Sequence, residues 1–439
     1  MNIAQLTAEL DHCNKCGFCM AGCPTYQTDP MEWLVARGRI SLVQDLLAGR
    51  LDPADPGFRQ AIDSCLMCRS CVAHCPSRVQ TDFVITRAKA ARRLAAGFTW
   101  PERLIYRGLL PRPRLLQAVV RAAGQADRLG LRRWALRTGL LARWPVLKRA
   151  AETGPPIPAA TGRELIARAV RADPPQGADQ KTQKLAPRDR VVYFLGCSKN
   201  LLYPEAALST YRVLRTNHVA VEVPEVACCG LPTLSAGDLE GARALAVRNL
   251  AILEAIPDVP IVVDEGSCGA HLTHMSDLFA GQPEEAALKR LGARIVDLSV
   301  YLDRLGIDPL GEVTARVVWH DPCHLRHHLG VTEAPRRLLA QVPGTTVVEP
   351  VTDSGCCGGA GAFMLTQPDL SDKLLAGRLA AVRAVGADFL VTGSPSCVTQ
   401  FARATGGPPV LYLSQYLDLA YQARESKKQV EGGVSHGSA

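Results

Sequence analysis

Cys13, Cys16, Cys19 and Cys23 are spaced C-x2-C-x2-C-x3-C and followed by Pro24. Fifty-two residues later Cys65, Cys68, Cys71 and Cys75 repeat the arrangement, followed by Pro76. Thiolate is soft and anionic and suits iron–sulfur cores. Three thiols at three-residue steps can cap three corners of a [4Fe–4S] cube. The fourth, starting the next segment, points away toward a second cube. The expected sets are therefore crossed: Cys13, Cys16, Cys19 and Cys75 on one cluster, and Cys65, Cys68, Cys71 and Cys23 on the other. A lone C-x2-C would favour structural zinc; three cysteines plus a fourth and a proline, given twice, argue against it. Two one-electron centres on one small domain imply electron transfer.

The other eight cysteines fall into two further groups. Cys197, Cys228, Cys229 and Cys268 are offset by 31, 1 and 39 residues, and Cys323, Cys356, Cys357 and Cys397 by 33, 1 and 40. Each group closes on an L-S-x-Y-L-D stretch, VDLSVYLDRL and LYLSQYLDLA, so the chain carries an internal duplication. Short apolar runs such as VVYFLGC and RVVWHDPC, followed by helical stretches, read as parallel strands with crossover helices. The cysteines then sit at strand ends, where an open α/β sheet places its sites. The eight thiols are candidate ligands for a further cluster or zinc; the competing readings are a redox-active thiol pair and an inert remnant with buried small cysteines. His320, His324, His327 and His328 crowd Cys323, and His271 and His274 follow Cys268. Each is a candidate ligand or proton carrier, and His327 and His328 fall at an exposed helix start.

At 439 residues the chain suits two or three domains. The expected fold class is α+β and multidomain. Residues 1–98 form a helical two-cluster domain, and 99–188 a basic helical segment with a Pro-rich linker. Residues 189–304 and 305–424 form two duplicated α/β cysteine-rich domains, and 425–439 a disordered tail. Helices in the basic segment are expected to break at Pro111, Pro113 and Pro145. Eleven arginines and one lysine against Glu102 and Asp127 give residues 101–150 a charge of +10, leaving the rest near −2. Such a patch suits acidic lipid, a partner protein or simply solvated helix faces; no nucleic-acid motif accompanies it. The start of the chain lacks the basic and apolar regions of a secretory signal, and no apolar run is long enough to span a bilayer. The expected address is cytoplasmic, with peripheral attachment to the inner membrane face as an option.

The order of two cluster motifs, a basic helical linker and two CCG domains resembles the glycolate oxidase iron–sulfur subunit family. CGFCMAGCPTYQ, RGRISLVQDLLAG, CLMCRSCVAHCPSRV and SGCCGGAGAFMLTQPDL all look like that family. The resemblance implies an oxidoreductase subunit carrying two [4Fe–4S] clusters. FAD-binding partner subunits would oxidise glycolate to glyoxylate, and this chain would pass their electrons to a membrane quinone pool or other acceptor. No residue here is expected to be catalytic. No flavin is expected on this chain, since GCCGGAGAF departs from G-x-G-x-x-G. Related chains serve D-lactate and anaerobic glycerol-3-phosphate dehydrogenases, which makes those substrates alternatives. Heterodisulfide reductases carry similar domains, but theirs end in C-x2-C. Here His271 and Gln400 stand where the fifth thiol would fall, which weakens the reading as a catalytic subunit of that type.

Overall fold

The computed structural model describes residues 3–172, 189–350 and 355–434. Four helices, Ile3–Asp11, Ala36–Leu47, Pro56–Asp63 and Thr81–Ala96, surround an apolar core that includes Leu10, Ile40, Val43, Phe58, Ile62 and Val84. The cysteine motifs occupy the connections between them. Asp55 starts one of these helices by accepting the Phe58 amide at 2.8 Å, with Pro56 fixing the first turn.

Two four-stranded parallel sheets follow. The first contains β1 (Asp189–Tyr193), β2 (Val219–Glu222), β3 (Ile261–Val263) and β4 (Ile295–Asp297), ordered β2-β1-β3-β4. The second contains β5 (Ala315–His320), β6 (Thr345–Val347), β7 (Phe389–Thr392) and β8 (Val410–Tyr412), ordered β6-β5-β7-β8. The identical order is the structural form of the duplication. The inner strands are covered on both faces, which explains their unbroken apolar runs. The strand order reverses at β1 and at β5, so the crevice beyond their carboxyl ends is the topological switch point of each sheet. The repeats share one core, in which Val191 and Val262 join Val317, Trp319 and Val391. The chain is α+β and multidomain.

The basic segment forms helices Pro113–Arg128, Leu131–Arg137 and Pro145–Thr153. It is not a free patch of charge. Arg107 reaches Asp238 at 2.8 Å, Arg114 reaches Glu225 at 3.0 Å and Arg149 reaches Asp372 at 2.6 Å, while Arg121 pairs with Glu164. Part of its charge therefore straps it to the α/β repeats. Its outer face still exposes Leu129, Leu131, Trp134, Leu140, Trp144 and Leu147.

Two expectations need correction. Residues from Glu425 onward were expected to be disordered, yet the last helix runs Leu413–Val434. ESKKQVE consists mainly of helix formers, and Glu425 pairs with Lys428 one turn away at 3.0 Å. Residues 435–439, and the polar part of the linker at 173–188, lie outside the described residues. The helix start at Cys323–His327 is partly buried, not exposed. It is wedged against the first repeat and the cluster-motif domain, where the rings of His328 and His274 stack at 4.5 Å.

Candidate iron–sulfur centres

The two motif loops follow one backbone path. Lys15 and Gly17 in the first, and Met67 and Arg69 in the second, take positive φ of 58°, 86°, 53° and 60°. A left-handed residue on each side of the middle cysteine curls three thiols into a cup. Three of these four residues are not glycine, and each such position costs roughly 1–3 kcal/mol unless its surroundings enforce it. The cup also turns an amide inward, placing Met67 N 3.4 Å from Cys65 Sγ.

The third cysteine of each motif lies on a short helix, Cys19 on Phe18–Gly22 and Cys71 on Ser70–Ala73. These helices pack on each other. Contact is closest at Gly22, where a Cβ would collide with the His74 ring. The crossing sends Cys23 toward the second loop and Cys75 toward the first. Two neighbouring cavities result. One is lined by Cys23, Cys65, Cys68 and Cys71. The other is lined by Cys13, Cys16, Cys19 and Cys75. Both are also bordered by Ala36, Cys71 and Thr81, so one layer of side chains separates them.

Buried cations flank the first of these cavities. Arg39 is 2% exposed and its hydrogen-bond partners are neutral: Ala61 O at 2.8 Å, Ser64 Oγ at 3.0 Å and Thr25 Oγ1 at 3.5 Å. Lys89 is also buried, with Nζ 3.9 Å from Met67 Sδ, and burial pulls its pKa down. A buried cation costs several kcal/mol unless an anion offsets it. A net-negative [4Fe–4S] core held by four thiolates would supply that anion. The soft donors, the curled loops and the cations together fit such a cluster.

In the α/β repeats the cysteines stand beyond the carboxyl ends of the strands, as the sequence suggested. Cys197 begins the helix after β1, Cys268 lies on the helix after β3, and Cys228 and Cys229 follow β2. Cys323 and Cys397 begin the helices after β5 and β7 in the same way. In the first repeat a hydrogen bond to Cys228, together with burial, pushes up the Cys197 thiol. Cys268 Sγ lies 3.3 Å from Glu265 Oε2. Burial, reinforced by Asp264, raises the Glu265 carboxyl to about 7, against the opposing pull of Lys199.

The thiols of the second repeat divide. Cys323 and Cys356 join Leu66 and Cys68 of the cluster-motif domain in one apolar cluster. Burial pushes up the Cys68 thiol, and Cys323 and Cys356 push it further. Cys357 and Cys397 face inward instead, packed with Val318, Leu390 and Phe401. His324 links the same domains, with Nε2 3.1 Å from Met67 O, and His328 Nε2 lies 3.2 Å from Arg69 Nη1. Burial lowers the pKa of His271 to about 4 and of His328 to about 2, so both are neutral at physiological pH. His327 lines a cavity of about 530 Å3 between the cluster-motif domain and the second repeat.

Residues 9–79 match the 4Fe-4S dicluster domain, and residues 191–273 and 317–402 match the cysteine-rich domain. The chain is 29% identical over 408 residues to a probable glycolate oxidase iron–sulfur subunit of Bacillus subtilis (strain 168), covering 89% of this chain and 88% of the relative. It is 28% identical to the glycolate oxidase iron–sulfur subunit of Escherichia coli (strain K12), covering 89% of each. The chain belongs to the family of iron–sulfur proteins with cysteine-rich domains, and these subunits are among its similar relatives. A shorter relative, lactate utilization protein A of Geobacillus kaustophilus (strain HTA426), is 31% identical over 48% of this chain and 88% of its own length. Members of this family carry iron–sulfur clusters and serve oxidoreductases, which accords with the thiol-lined cavities described above.

Sequence reasoning overlooked Arg39, Lys89 and Glu265. Arg39 sits in RGRISLVQ, where it reads as an ordinary helical arginine, and only burial distinguishes it. Glu265 could have been noticed as an acidic residue directly after the apolar strand IVVD.

Proposed function

We propose that this chain is the electron-transferring subunit of a complex whose flavoprotein partners oxidise glycolate to glyoxylate. It would carry the electrons onward to a quinone or other acceptor. The observation that carries the reading is the pair of adjacent cavities with crossed thiol sets. Cys13, Cys16, Cys19 and Cys75 would hold one [4Fe–4S] cluster, and Cys65, Cys68, Cys71 and Cys23 the other. Bound there, each cluster supplies a one-electron store, which divides the electron pair left on a flavin by hydride transfer. The chain's own residues do the rest. The curled loops orient the thiolates, the apolar core keeps water out, and Arg39 and Lys89 oppose the added negative charge. The cysteines of residues 189–304 and 305–424 remain candidate ligands of a further centre.

Among the described residues no helix is long and apolar enough to cross a membrane. The exposed leucines and tryptophans of residues 129–147, beside unpaired arginines, would suit the surface of an anionic bilayer or a flavoprotein. D-lactate is the second substrate to test, because the lactate utilization relatives match so much of their own length.

The test is reduction of this chain, copurified with its flavoprotein partners, by glycolate or by D-lactate under anaerobic conditions. Rapid bleaching by glycolate alone supports the proposal, and bleaching by D-lactate alone replaces the substrate. No bleaching by either substrate, with the partner flavin itself reduced, overturns the electron-transfer role. Crossed ligation is tested by Cys23→Ala, which should remove or alter only the EPR signal of the cluster held by Cys65, Cys68 and Cys71.

A further inference from the structure

The duplicated repeats differ at one position beside their cysteines. Three residues before Cys197 stands Phe194, and three residues before Cys323 stands His320. Phe194 is fully buried and packs with Cys228, Cys229 and Cys268. His320, at the end of β5, is 1% exposed, yet its Nδ1 has no hydrogen-bond partner. A buried imidazole nitrogen without a partner costs on the order of 1–3 kcal/mol, and an apolar ring fills the same place in the sister repeat. Something offsets that cost in the second repeat.

The surroundings indicate what it is. Cys357 Sγ and Cys397 Sγ lie 3.3 Å apart. A ring nitrogen of His320 and both sulfurs lie within 4.8 Å of one another. Each donor comes from a different element at the switch point: the end of β5, the CCG loop, and the first turn of the helix Pro395–Ala402 after β7. The Gly359 amide points at Cys357 Sγ from 3.4 Å. The Phe401 ring meets the His320 ring edge-on, with centroids 4.9 Å apart, and fixes its orientation.

We propose that Cys357, Cys397 and His320 bind a single tetrahedral dication of the Zn2+ class, a centre the first repeat does not form. With Zn–S bonds of about 2.3 Å, two thiolates on one tetrahedral ion stand about 3.8 Å apart. The observed pair needs to open by only about half an ångström to reach that distance. Thiolates on a cube each bind a separate iron and stand much farther apart, so this pair fits one ion better than one edge of a cluster. This inference deepens the candidate-ligand reading of the second repeat and is independent of the two clusters near the N terminus.

The experiment measures zinc, iron and acid-labile sulfide in the purified full-length holoprotein, and repeats the measurement after expression in Co2+ medium. The expected result is about one zinc per chain, beside the iron and sulfide of the N-terminal clusters. In Co2+ medium, thiolate-to-cobalt charge-transfer bands should appear. His320→Ala should lose at least four-fifths of the zinc while iron and sulfide are unchanged, and His320→Cys should retain it. If His320→Ala fails to fold, retention of zinc by His320→Cys and the cobalt bands in the parent protein decide the matter. The proposal is overturned by a parent protein without zinc or cobalt bands, or by zinc that survives His320→Ala. Loss of iron and sulfide in place of zinc in that variant would also overturn it, because the site would then hold a cluster. A shortage of N-terminal iron would count against the two-cluster reading and leave the zinc result separately readable.

Discussion

Arg39 should raise the potential of the cluster whose cavity it borders. Its Nη2 is 3.5 Å from Thr25 Oγ1, and Thr25 Oγ1 is 3.1 Å from Cys23 Sγ. The guanidinium charge therefore stands within roughly 7 Å of a thiol lining the cavity, and at an effective dielectric near 20 one added electron would gain about 2 kcal/mol from it. A tenfold change in a one-electron equilibrium is about 59 mV and about 1.4 kcal/mol, so this gain corresponds to about 100 mV. Arg39→Gln should lower the midpoint potential of that cluster by about this amount, because it removes the cation that favours the reduced state. Arg39→Lys should restore most of the shift. The assay is an EPR-monitored redox titration of holoprotein with matched iron content. Loss of the hydrogen bonds to Ala61 and Ser64 would weaken the fold in Arg39→Gln, so stability is measured separately. A shift below about 20 mV, a rise, or a shift confined to the cluster of Cys13, Cys16 and Cys19 would refute the electrostatic reasoning.

Three further outcomes follow from other parts of the molecule. Lys199 is fully buried, pairs with Asp264 and lies 3.3 Å from Ser414 of the second repeat. Lys199→Met should destabilise by about 3–5 kcal/mol in chemical denaturation, and Asp264→Asn added to it should recover part of the loss. Glu265 has its carboxyl raised from 4.5 to about 7, so the folded state holds this proton more tightly than the unfolded chain. Its contribution is fully present below pH 4.5 and is lost as pH rises through 7, on the order of 3 kcal/mol in all. Thermal scans should therefore show Glu265→Gln more stable than the parent at pH 8 and equal to it near pH 4.5. Vesicles containing anionic lipid should sediment the chain in a salt-sensitive manner, and replacing both Trp134 and Trp144 by Ser should weaken binding at least tenfold, since each buried ring contributes on the order of 2 kcal/mol.

Local spacing made much of this molecule legible, and long-range pairing hid the rest. The cysteine offsets and the duplicated strand patterns reflect chemistry that acts within a few residues or repeats visibly. The left-handed turns at Lys15, Met67 and Arg69 did not show, because only Gly17 announces such a backbone. The basic segment misled for a similar reason. Its arginines read as a surface patch until folding brings them to Glu164, Glu225, Asp238 and Asp372, which lie 43 to 223 residues from their partners. His320 was noticed as one of several histidines near Cys323. Its contrast with Phe194 lies in the sequence, at the same offset from Cys323 and Cys197, but its meaning depends on the burial of an unpartnered Nδ1.

The two repeats have different surroundings, and position explains why. The first repeat lies under the basic segment, where Leu110 packs into its core and Leu110 O receives the Cys228 amide at 3.5 Å. Its thiols are closed in beside Glu265. The second repeat faces the cluster-motif domain, so that Cys323 and Cys356 approach Cys68, a thiol of the second cluster cavity. Among the described residues the first repeat makes no such apolar contact with Cys68. A redox-inert zinc held by His320 beyond these thiols would give this centre no electron-carrying role of its own. The outward thiols Cys323 and Cys356 would then border only the cavity of about 530 Å3 that they share with Cys68.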